Sequence, residues 1–233
     1  MNASRTARER VRAELTREIT ETARQQLATE GAAALSLRAV AREMGMVSSA
    51  VYRYFPSRDD LLTALIIDGY NALGAAAEQA DGACRRDDYP GRWLAACRAV
   101  RDWALAHPHE YSLVYGSPVP GYQAPELTIG PAARVAAVFG KIISDAQASG
   151  VLDPPALCPP PPGSFAPDAE RLRESVLVAV PDAAAARALT VWASVFGLVS
   201  FELFGQFENV VTDRGAFFDQ AVGCLGAMMG LPA

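Results

Sequence analysis

Apolar positions recur at helical spacing through the first thirty residues of the chain. Between residues 6 and 30 an apolar side chain returns every four residues, with charged side chains between, at Val11, Leu15, Ile19, Ala23 and Leu27. This spacing puts an apolar stripe on one face of an α-helix and charges on the other face. The pattern therefore predicts an amphipathic helix over residues 6–30, and Gly31 is suited to end it.

The next segment predicts two short helices and one long helix. Ser36 is a good N-cap for a helix over residues 37–44, and a second short helix follows at about 48–54. Ser57 caps a longer helix that begins at Arg58 and runs into the 70s. The apolar stripe of that long helix consists of Leu61, Leu62, Leu65, Ile66 and Tyr70.

The remaining pattern is also helical, with breaks at proline and glycine. It predicts helices over residues 88–106, 127–149, 182–206 and 213–230, and a short helix followed by turns between 107 and 125. Residues 153–167, DPPALCPPPPGSFAP, predict a surface loop or link, because proline removes backbone donors and breaks helices. No alternating strand pattern stands out, so we expect an all-α protein.

Residues 35–55, LSLRAVAREMGMVSSAVYRYF, have the spacing of a helix-turn-helix. Ala41 is small enough to let a second helix approach the first. Gly45 can adopt the positive φ that a tight turn requires. Val40, Met44 and Val51 are placed to fill the seam between the two helices. We expect Phe55 to belong to the same core.

The outward positions of this motif carry hydroxyl and guanidinium groups. No acidic residue occurs between Glu43 and Asp59. In DNA recognition the second helix of such a pair enters the major groove, where hydroxyl groups bind phosphates and arginine binds bases or phosphates. The candidate DNA-binding residues are Arg38, Ser48, Ser49, Tyr52, Arg53, Tyr54 and Arg58.

Charge and composition support that assignment and exclude several other classes. Residues 1–58 carry ten arginines and six acids, a net charge of +4, whereas the whole chain has a net charge of −5. A basic N-terminal segment followed by an acidic remainder indicates two parts with different partners. The four cysteines contain no CxxC pair, which disfavours a zinc site or a disulfide framework and fits a reducing cytoplasm.

The sequence gives no reason to expect a membrane segment, a metal, a cofactor or catalysis. No uninterrupted run of eighteen apolar residues occurs, and the charged N-terminus does not resemble a secretory signal. Common catalytic and nucleotide-binding motifs have no usable match. His107 and His109, the two histidines, flank Pro108 and make a poor metal site.

The segment LSLRAVAREMGMVSSAVYRYFPSRDDLL closely resembles the N-terminal domain of TetR/AcrR-type transcriptional regulators. The resemblance covers about residues 8–65. It implies a cytoplasmic all-α homodimer that binds a palindromic operator and is released by a small ligand held in the C-terminal domain. It places Tyr52 and Arg58 on phosphates, with Arg38, Ser48 and Ser49 at or near base edges. Tyr54 stands where the family often has histidine, which leaves that phosphate contact less certain.

This resemblance suggests a domain boundary and a location for the ligand. We expect residues 1–57 to form the DNA-binding domain and residues 58–233 to form the effector-binding and dimerisation domain. The pocket is expected between helix 88–106, segment 108–122 and helix 127–149. Its candidate aromatic lining is Trp93, Trp103, Tyr111, Tyr115, Tyr122, Phe139, Trp192 and Phe196. Any of these could equally be plain core.

The second half also resembles, more loosely, the WHG subgroup of this family. Trp192 and Gly197 match that subgroup's signature, whereas Phe196 replaces the usual histidine and favours a more apolar effector. The last two helices carry small and apolar positions suited to a dimer interface, at Leu198, Glu202, Phe217, Ala221, Cys224 and Met228. A buried Glu202 needs a partner, either an arginine across the dimer or a ligand.

Together these features predict a ligand-responsive transcriptional regulator, and family habit favours a repressor. Its expected partners are operator DNA, a second copy of the chain and a small apolar or aromatic effector. The alternative is a helical scaffold or partner-binding protein whose N-terminal motif no longer binds DNA.

Overall fold

The computed structural model describes residues 2–153, 155 and 158–232, with side chains from residue 8 onward. Within these residues all regular structure is helical, as predicted, and the ten α-helices are α1 (Asn2–Glu30), α2 (Leu37–Glu43), α3 (Ser48–Val51), α4 (Arg58–Ala83), α5 (Tyr89–Ala106), α6 (Pro108–Tyr115), α7 (Ile129–Ala148), α8 (Ala166–Ser175), α9 (Asp182–Leu203) and α10 (Arg214–Met229). The Pro-rich loop predicted at 153–167 includes residues 154, 156 and 157, which lie outside the described part of the chain.

Helix α8 lies in a segment for which no helix was predicted. It begins at Ala166, inside the stretch expected to be loop, and runs to Ser175. Pro167 stands in the first turn of α8, where its missing N–H costs no hydrogen bond. The prediction of a loop through residue 167 is therefore wrong at its end, because proline stops a helix that precedes it but can start a helix that follows.

The chain divides into two compact units that do not coincide with the predicted domain boundary at residue 57. The first unit comprises residues up to Gly69 together with His107–Ile129, and the second comprises Tyr70–Ala106 and Gly130 onward. Helix α4 therefore starts in the first unit and ends in the second, and α6 belongs to the first. The functional division between residues 1–57 and 58–233 stays a prediction.

The first unit is built around α1, α2, α3 and the start of α4. Ile19, Ala23 and Leu27 of the predicted α1 stripe are buried, and so are Leu61, Leu62, Leu65 and Ile66 of the predicted α4 stripe. Val11 departs from the prediction, since it is 55% exposed. Every residue from 8 to 14 is exposed, so the amphipathic pattern of α1 extends beyond the part of the helix that the core covers.

Arg24 links three helices of the first unit. Its Nε lies 3.3 Å from Glu110 Oε1 on α6, and one terminal nitrogen lies 3.7 Å from Asp68 Oδ2 on α4. Burial raises the pKa of Asp68, and the positive charge of Arg24 partly opposes that rise. The ion pair with Glu110 joins α1 to α6, two helices that pack against each other.

The second unit contains α5, α7, α8, α9, α10 and the C-terminal half of α4. Segments Glu126–Ala148 and Asp182–Leu203 are long and apolar enough to span a membrane by length and composition. Within the second unit, however, α9 packs against α10, α5 and α8. Such contacts are those of a core helix in a folded domain, for which an apolar composition is expected.

Arg92 is a fully buried charge in the second unit. Its Nε donates to Asp81 Oδ1 at 2.7 Å, and a terminal nitrogen donates to Asp145 Oδ2 at 2.9 Å. Since a buried charge is tolerated only when paired, this contact joins α4, α5 and α7 at one point. The composition of the sequence contains no signal for this three-helix junction.

Candidate nucleic-acid interface

The seam between α2 and α3 forms as the sequence predicts. Val40, Ala41 and Val51 are fully buried, Phe55 is 7% exposed, and Met44 is half-buried. Gly45 has a φ of +67°, the left-handed value that glycine adopts without strain. The amide of Met46 then donates to the carbonyl of Ala41 at 2.8 Å and completes the turn.

Both predicted N-caps at the ends of this motif are present. The Ser36 hydroxyl accepts from the amide of Ala39, which starts α2. The Ser57 hydroxyl accepts from the amide of Asp60 at 3.1 Å and donates to the Asp60 carboxylate at 2.7 Å, which starts α4. The caps fix the directions in which α2 and α4 leave the short α3.

The exposed side of this motif, here called the α2–α3 surface, consists of Arg38, Ser49, Tyr52 and Arg53. All four residues are exposed, and Tyr52 retains 41% of its accessible area. Ser48, the first residue of α3, is half-buried. The surface is cationic and rich in hydroxyl groups, which is the chemistry that phosphates and base edges require.

Tyr54 lies at the border of the α2–α3 surface, with its ring half-buried. The guanidinium of Arg12, on α1, sits 5.5 Å from the centre of that ring. The contact adds a positive charge beside the phenol, and Arg12 was not among the predicted DNA-binding residues. The arginine-rich start of α1 was the available signal, but periodicity alone does not say which arginine meets the motif.

Arg58 is engaged inside the first unit. Its Nε donates to the carbonyl of Leu35 at 3.1 Å, and one terminal nitrogen donates to the carbonyls of Ala32 and Ala33 at 2.8 and 3.3 Å. The other terminal nitrogen lies 3.3 Å from Asp59. These bonds tie the start of α4 to the turn between α1 and α2, so most donors of Arg58 are already used.

The predicted aromatic lining is divided between the two units. Tyr111, Tyr115 and Tyr122 belong to the first unit, and the other five residues belong to the second. Tyr111 is fully buried with its ring 5.2 Å from that of Tyr115. The Tyr122 hydroxyl is hydrogen-bonded to that of Thr63 at 2.9 Å.

Within the second unit, three of the predicted aromatic residues are core. Trp93 is 2% exposed and donates from Nε1 to the carbonyl of Val222 at 2.7 Å. Trp103 and Phe196 are each under 10% exposed. These placements match the plain-core alternative noted for each residue.

Phe139 and Trp192 do line a common cavity, in the second unit. The cavity has a volume of about 230 Å³ and lies between α7, α8 and α9. Its lining includes Phe139, Ile143, Leu172, Val176, Leu189 and Trp192. The apolar positions near the end of α8 were the signal for this wall, but no helix was predicted there.

The outer side of α9 and α10 forms an apolar groove of about 410 Å³ in the second unit. Leu198, Ala221 and Cys224 of the predicted dimer set line it, next to Phe201 and Phe207. The ring of Phe217 packs edge-on against Phe207 at 5.4 Å, and Met228 is half-buried. Phe201 and Phe204 are 55% and 47% exposed, so a large aromatic surface is accessible to solvent on this side of α9.

Glu202 has an arginine partner within its own chain. Its two carboxylate oxygens accept from Arg101 of the same chain at 2.7 and 2.6 Å. The side chain is nearly buried, and the pairing satisfies it without a second subunit or a ligand. An arginine of the same chain thus supplies the charge that was expected from an arginine across the dimer, because α5 packs against α9 and brings Arg101 into reach.

Comparisons with known proteins agree over nearly the whole chain. Residues 19–65 match the family model for bacterial regulatory proteins of the tetR family, and residues 93–225 match the model for the tetracyclin repressor-like C-terminal domain. The HTH-type transcriptional regulator Rv1816 of Mycobacterium tuberculosis is 41% identical over 227 residues, covering 97% of this chain and 94% of the relative.

Solved structures give the same picture. The crystal structure of SCO4313 superposes with a TM-score of 0.75 at 35% identity, covering 93% of this chain and 97% of that chain. A bacterial regulatory protein in the tetR family from Rhodococcus RHA1 has a TM-score of 0.64 at 18% identity, with 94% and 98% covered. The second likeness supports the fold alone.

Proposed function

Since this chain belongs to the TetR family of bacterial transcriptional regulators, we propose that it is a ligand-responsive repressor. In this proposal a homodimer binds a palindromic operator in the cytoplasm and leaves it when a small effector binds. The observation that carries the proposal is the α2–α3 surface, which is exposed, cationic and free of acidic residues between Glu43 and Asp59.

The α2–α3 surface suits the major groove. Ser48 and Ser49 stand at the N-terminus of α3, the end of a recognition helix that meets base edges. Tyr52 and Arg53, one turn later, are exposed and can bind phosphates or bases. Arg38, exposed near the start of α2, contributes a second guanidinium, and Tyr54 offers a phenol at the border of the surface.

We revise the role of Arg58 within this proposal. A direct phosphate contact would require donors that now bind the carbonyls of Ala32, Ala33 and Leu35. Arg58 is better described as a positioning residue, which holds the α1–α2 turn against the start of α4. The phosphate contacts then fall to the residues of the α2–α3 surface.

The dimer of this proposal forms through the outer side of α9 and α10. Exposed apolar patches of this kind mark interaction sites in soluble proteins. The groove and the solvent-exposed parts of Phe201 and Phe204 provide such a patch. A two-fold pair of subunits would also read two half-sites, since one short recognition helix reads too few bases to select an operator.

The experiment is operator affinity measured against salt concentration, with duplexes selected from a random pool. We expect a complex with two subunits per duplex and a steep salt dependence. Arg38→Ala should weaken binding at least about tenfold, the usual loss for a base or phosphate contact. Tyr52→Phe, which removes only a hydroxyl group, should weaken it less.

Arg85→Ala is the matched control. Arg85 is also exposed, but it lies in the loop between α4 and α5 and pairs with Asp87, so its loss should leave operator affinity unchanged. The proposal fails if no duplex is selected, or if Arg38→Ala and Arg85→Ala bind equally well.

A further inference from the structure

We propose that the cavity between α7, α8 and α9 is the effector site, and that its ligand is an uncharged, compact apolar molecule of about ten non-hydrogen atoms. This inference rests on the proposed function, which requires an effector but does not locate it. Among the eight aromatic residues that the sequence suggested as lining, Phe139 and Trp192 are the two that face this cavity.

The lining determines the class of ligand. Among the described residues no charged side chain contributes to it, and its polar side-chain groups are the Ser175 hydroxyl and Trp192 Nε1, a buried neutral donor without a hydrogen-bond partner. That hydroxyl donates to the carbonyl of Arg171 at 2.8 Å, so its proton is already used. An ionised group that enters such a site loses its hydration without gaining a counter-charge, which costs far more than apolar contact can return. Charged effectors are therefore excluded from the cavity.

The volume determines the size of the ligand. Engineered apolar cavities of about 150 Å³ remain dry and take up benzene, which has six non-hydrogen atoms. At the same packing density, a cavity of about 230 Å³ holds a ligand of about nine or ten non-hydrogen atoms. Naphthalene, with ten carbon atoms and no charge, matches both the volume and the apolar, aromatic character of the lining.

The walls of the cavity are held closely together. A Cβ at Gly140 would overlap the carbonyl oxygen of Val176, so α7 lies directly against the segment that follows α8. The Ser144 hydroxyl of α7 accepts from the amide of Val178 at 2.8 Å. A ligand between α7 and α9 therefore acts on packed elements rather than on a loose loop.

Helix α7 also connects the cavity to α4. Arg134, on α7, binds both carboxylate oxygens of Glu78 at 2.8 and 2.6 Å, and it donates to the carbonyl and side-chain oxygens of Asn71 at 2.9 Å. Helix α4 begins at Arg58, directly after the DNA-binding motif. A displacement of α7 by the ligand would therefore act on that motif through α4. A ligand changes operator affinity only to the extent that it prefers one arrangement of these helices.

The test uses the full-length protein and two probes, naphthalene and its charged analogue 1-naphthoate, in equilibrium dialysis. We expect naphthalene to bind with a Kd of about 100 µM or tighter, consistent with the efficiency of small apolar ligands. We expect 1-naphthoate to bind at least about tenfold more weakly, because the cavity has no counter-charge. Equal affinities for the two probes would overturn the assignment of ligand class.

Two substitutions on neighbouring residues of α7 locate the site. Ala136 lines the cavity, so Ala136→Phe fills it and should abolish naphthalene binding. Ala137 is exposed and does not line it, so Ala137→Phe should bind naphthalene as the unsubstituted protein does. Ala188→Phe fills the cavity from α9 and serves if Ala136→Phe unfolds. Naphthalene binding retained in a folded, cavity-filled variant would overturn the location.

Operator affinity without probe, measured in parallel, separates the two proposals. The expected result is operator binding that naphthalene weakens in the unsubstituted protein but not in Ala136→Phe. Operator binding that naphthalene leaves unchanged would overturn the effector site and leave the regulator intact. Naphthalene binding to a protein that binds no operator would instead overturn the proposed function.

Discussion

Replacing Arg58 by alanine tests whether this arginine supports the fold or contacts DNA. In the folded protein it donates to the carbonyls of Ala32 and Leu35 at 2.8 and 3.1 Å, with a weaker bond to Ala33 at 3.3 Å. A hydrogen bond from a charged donor contributes about 1.5–3 kcal/mol when it is well sheltered. The side chain of Arg58 is 30% exposed, so we take the lower part of that range.

The expected loss in Arg58→Ala is therefore about 3 kcal/mol of unfolding free energy, about 1.5 kcal/mol for each of the two shorter bonds. In a chain of this size, each kcal/mol lowers the melting temperature by about 2–4 °C, so the expected shift is about 6–12 °C. The measurement is thermal denaturation followed by circular dichroism, with urea denaturation as a second determination.

The salt dependence of operator binding distinguishes the two roles. Loss of a phosphate contact reduces the slope of log K against log salt by about 0.9 for each contact. We expect Arg58→Ala to keep the slope, at a temperature where the variant is folded. Arg53→Ala is the control, because Arg53 is exposed on the α2–α3 surface and should lose slope while it keeps stability.

The opposite pattern would refute this reasoning. In that case Arg58→Ala would have the same melting temperature as the unsubstituted protein but a smaller slope of log K against log salt. Arg58 would then make the phosphate contact that the family resemblance implies.

Two further predictions concern the second unit. Gly74→Ala should destabilise the protein by about 1–3 kcal/mol, as overpacking does, because the new Cβ would lie 2.7 Å from the Cβ of Arg134. Gly82→Ala, on the same helix with no atom within 4 Å, should be neutral or slightly stabilising, and equal melting temperatures for the two variants would contradict the reasoning. The second prediction concerns pH. Burial would raise the pKa of Asp81, but hydrogen bonds from Arg92 and Arg86 outweigh it and lower this pKa. A carboxylate with a lowered folded-state pKa stabilises the protein above the unfolded-state pKa, and that stabilisation is lost as pH falls. Unfolding free energy should therefore drop below about pH 4, and Asp81→Asn should reduce the drop in urea titrations across that range; an unchanged drop would contradict the role of Asp81.

Local sequence was sufficient to predict most helices and the DNA-binding motif. The helix-turn-helix needs Gly45 at the turn, a small Ala41 and caps at Ser36 and Ser57, and each of these requirements involves residues only a few positions apart. Periodicity likewise predicted the apolar stripe that begins with Leu61. The exception, Val11, shows that periodicity reports the face of a helix but not how far along the helix the core extends.

The same pattern left helix α8 unrecognised, because its start overlaps a Pro-rich run. Proline excludes a helix on its N-terminal side but is tolerated in the first turn. With α8 missing, one wall of the cavity was missing too, and the predicted lining became a list of aromatic residues rather than a site. Tryptophan and tyrosine fill cores as readily as they line pockets, so residue type alone did not distinguish the two.

The sequence by itself determined the all-helical class, the position of the DNA-binding motif and the chemistry of its exposed side, since these depend on residues within one or two helical turns of each other. Tertiary structure alone decided which charges meet. It joined Arg101 to Glu202 and Arg134 to Glu78. Each pair is separated by more than twenty positions, and any arginine of the chain could in principle satisfy any carboxylate. Only the packing of the helices brings one particular pair within hydrogen-bonding distance.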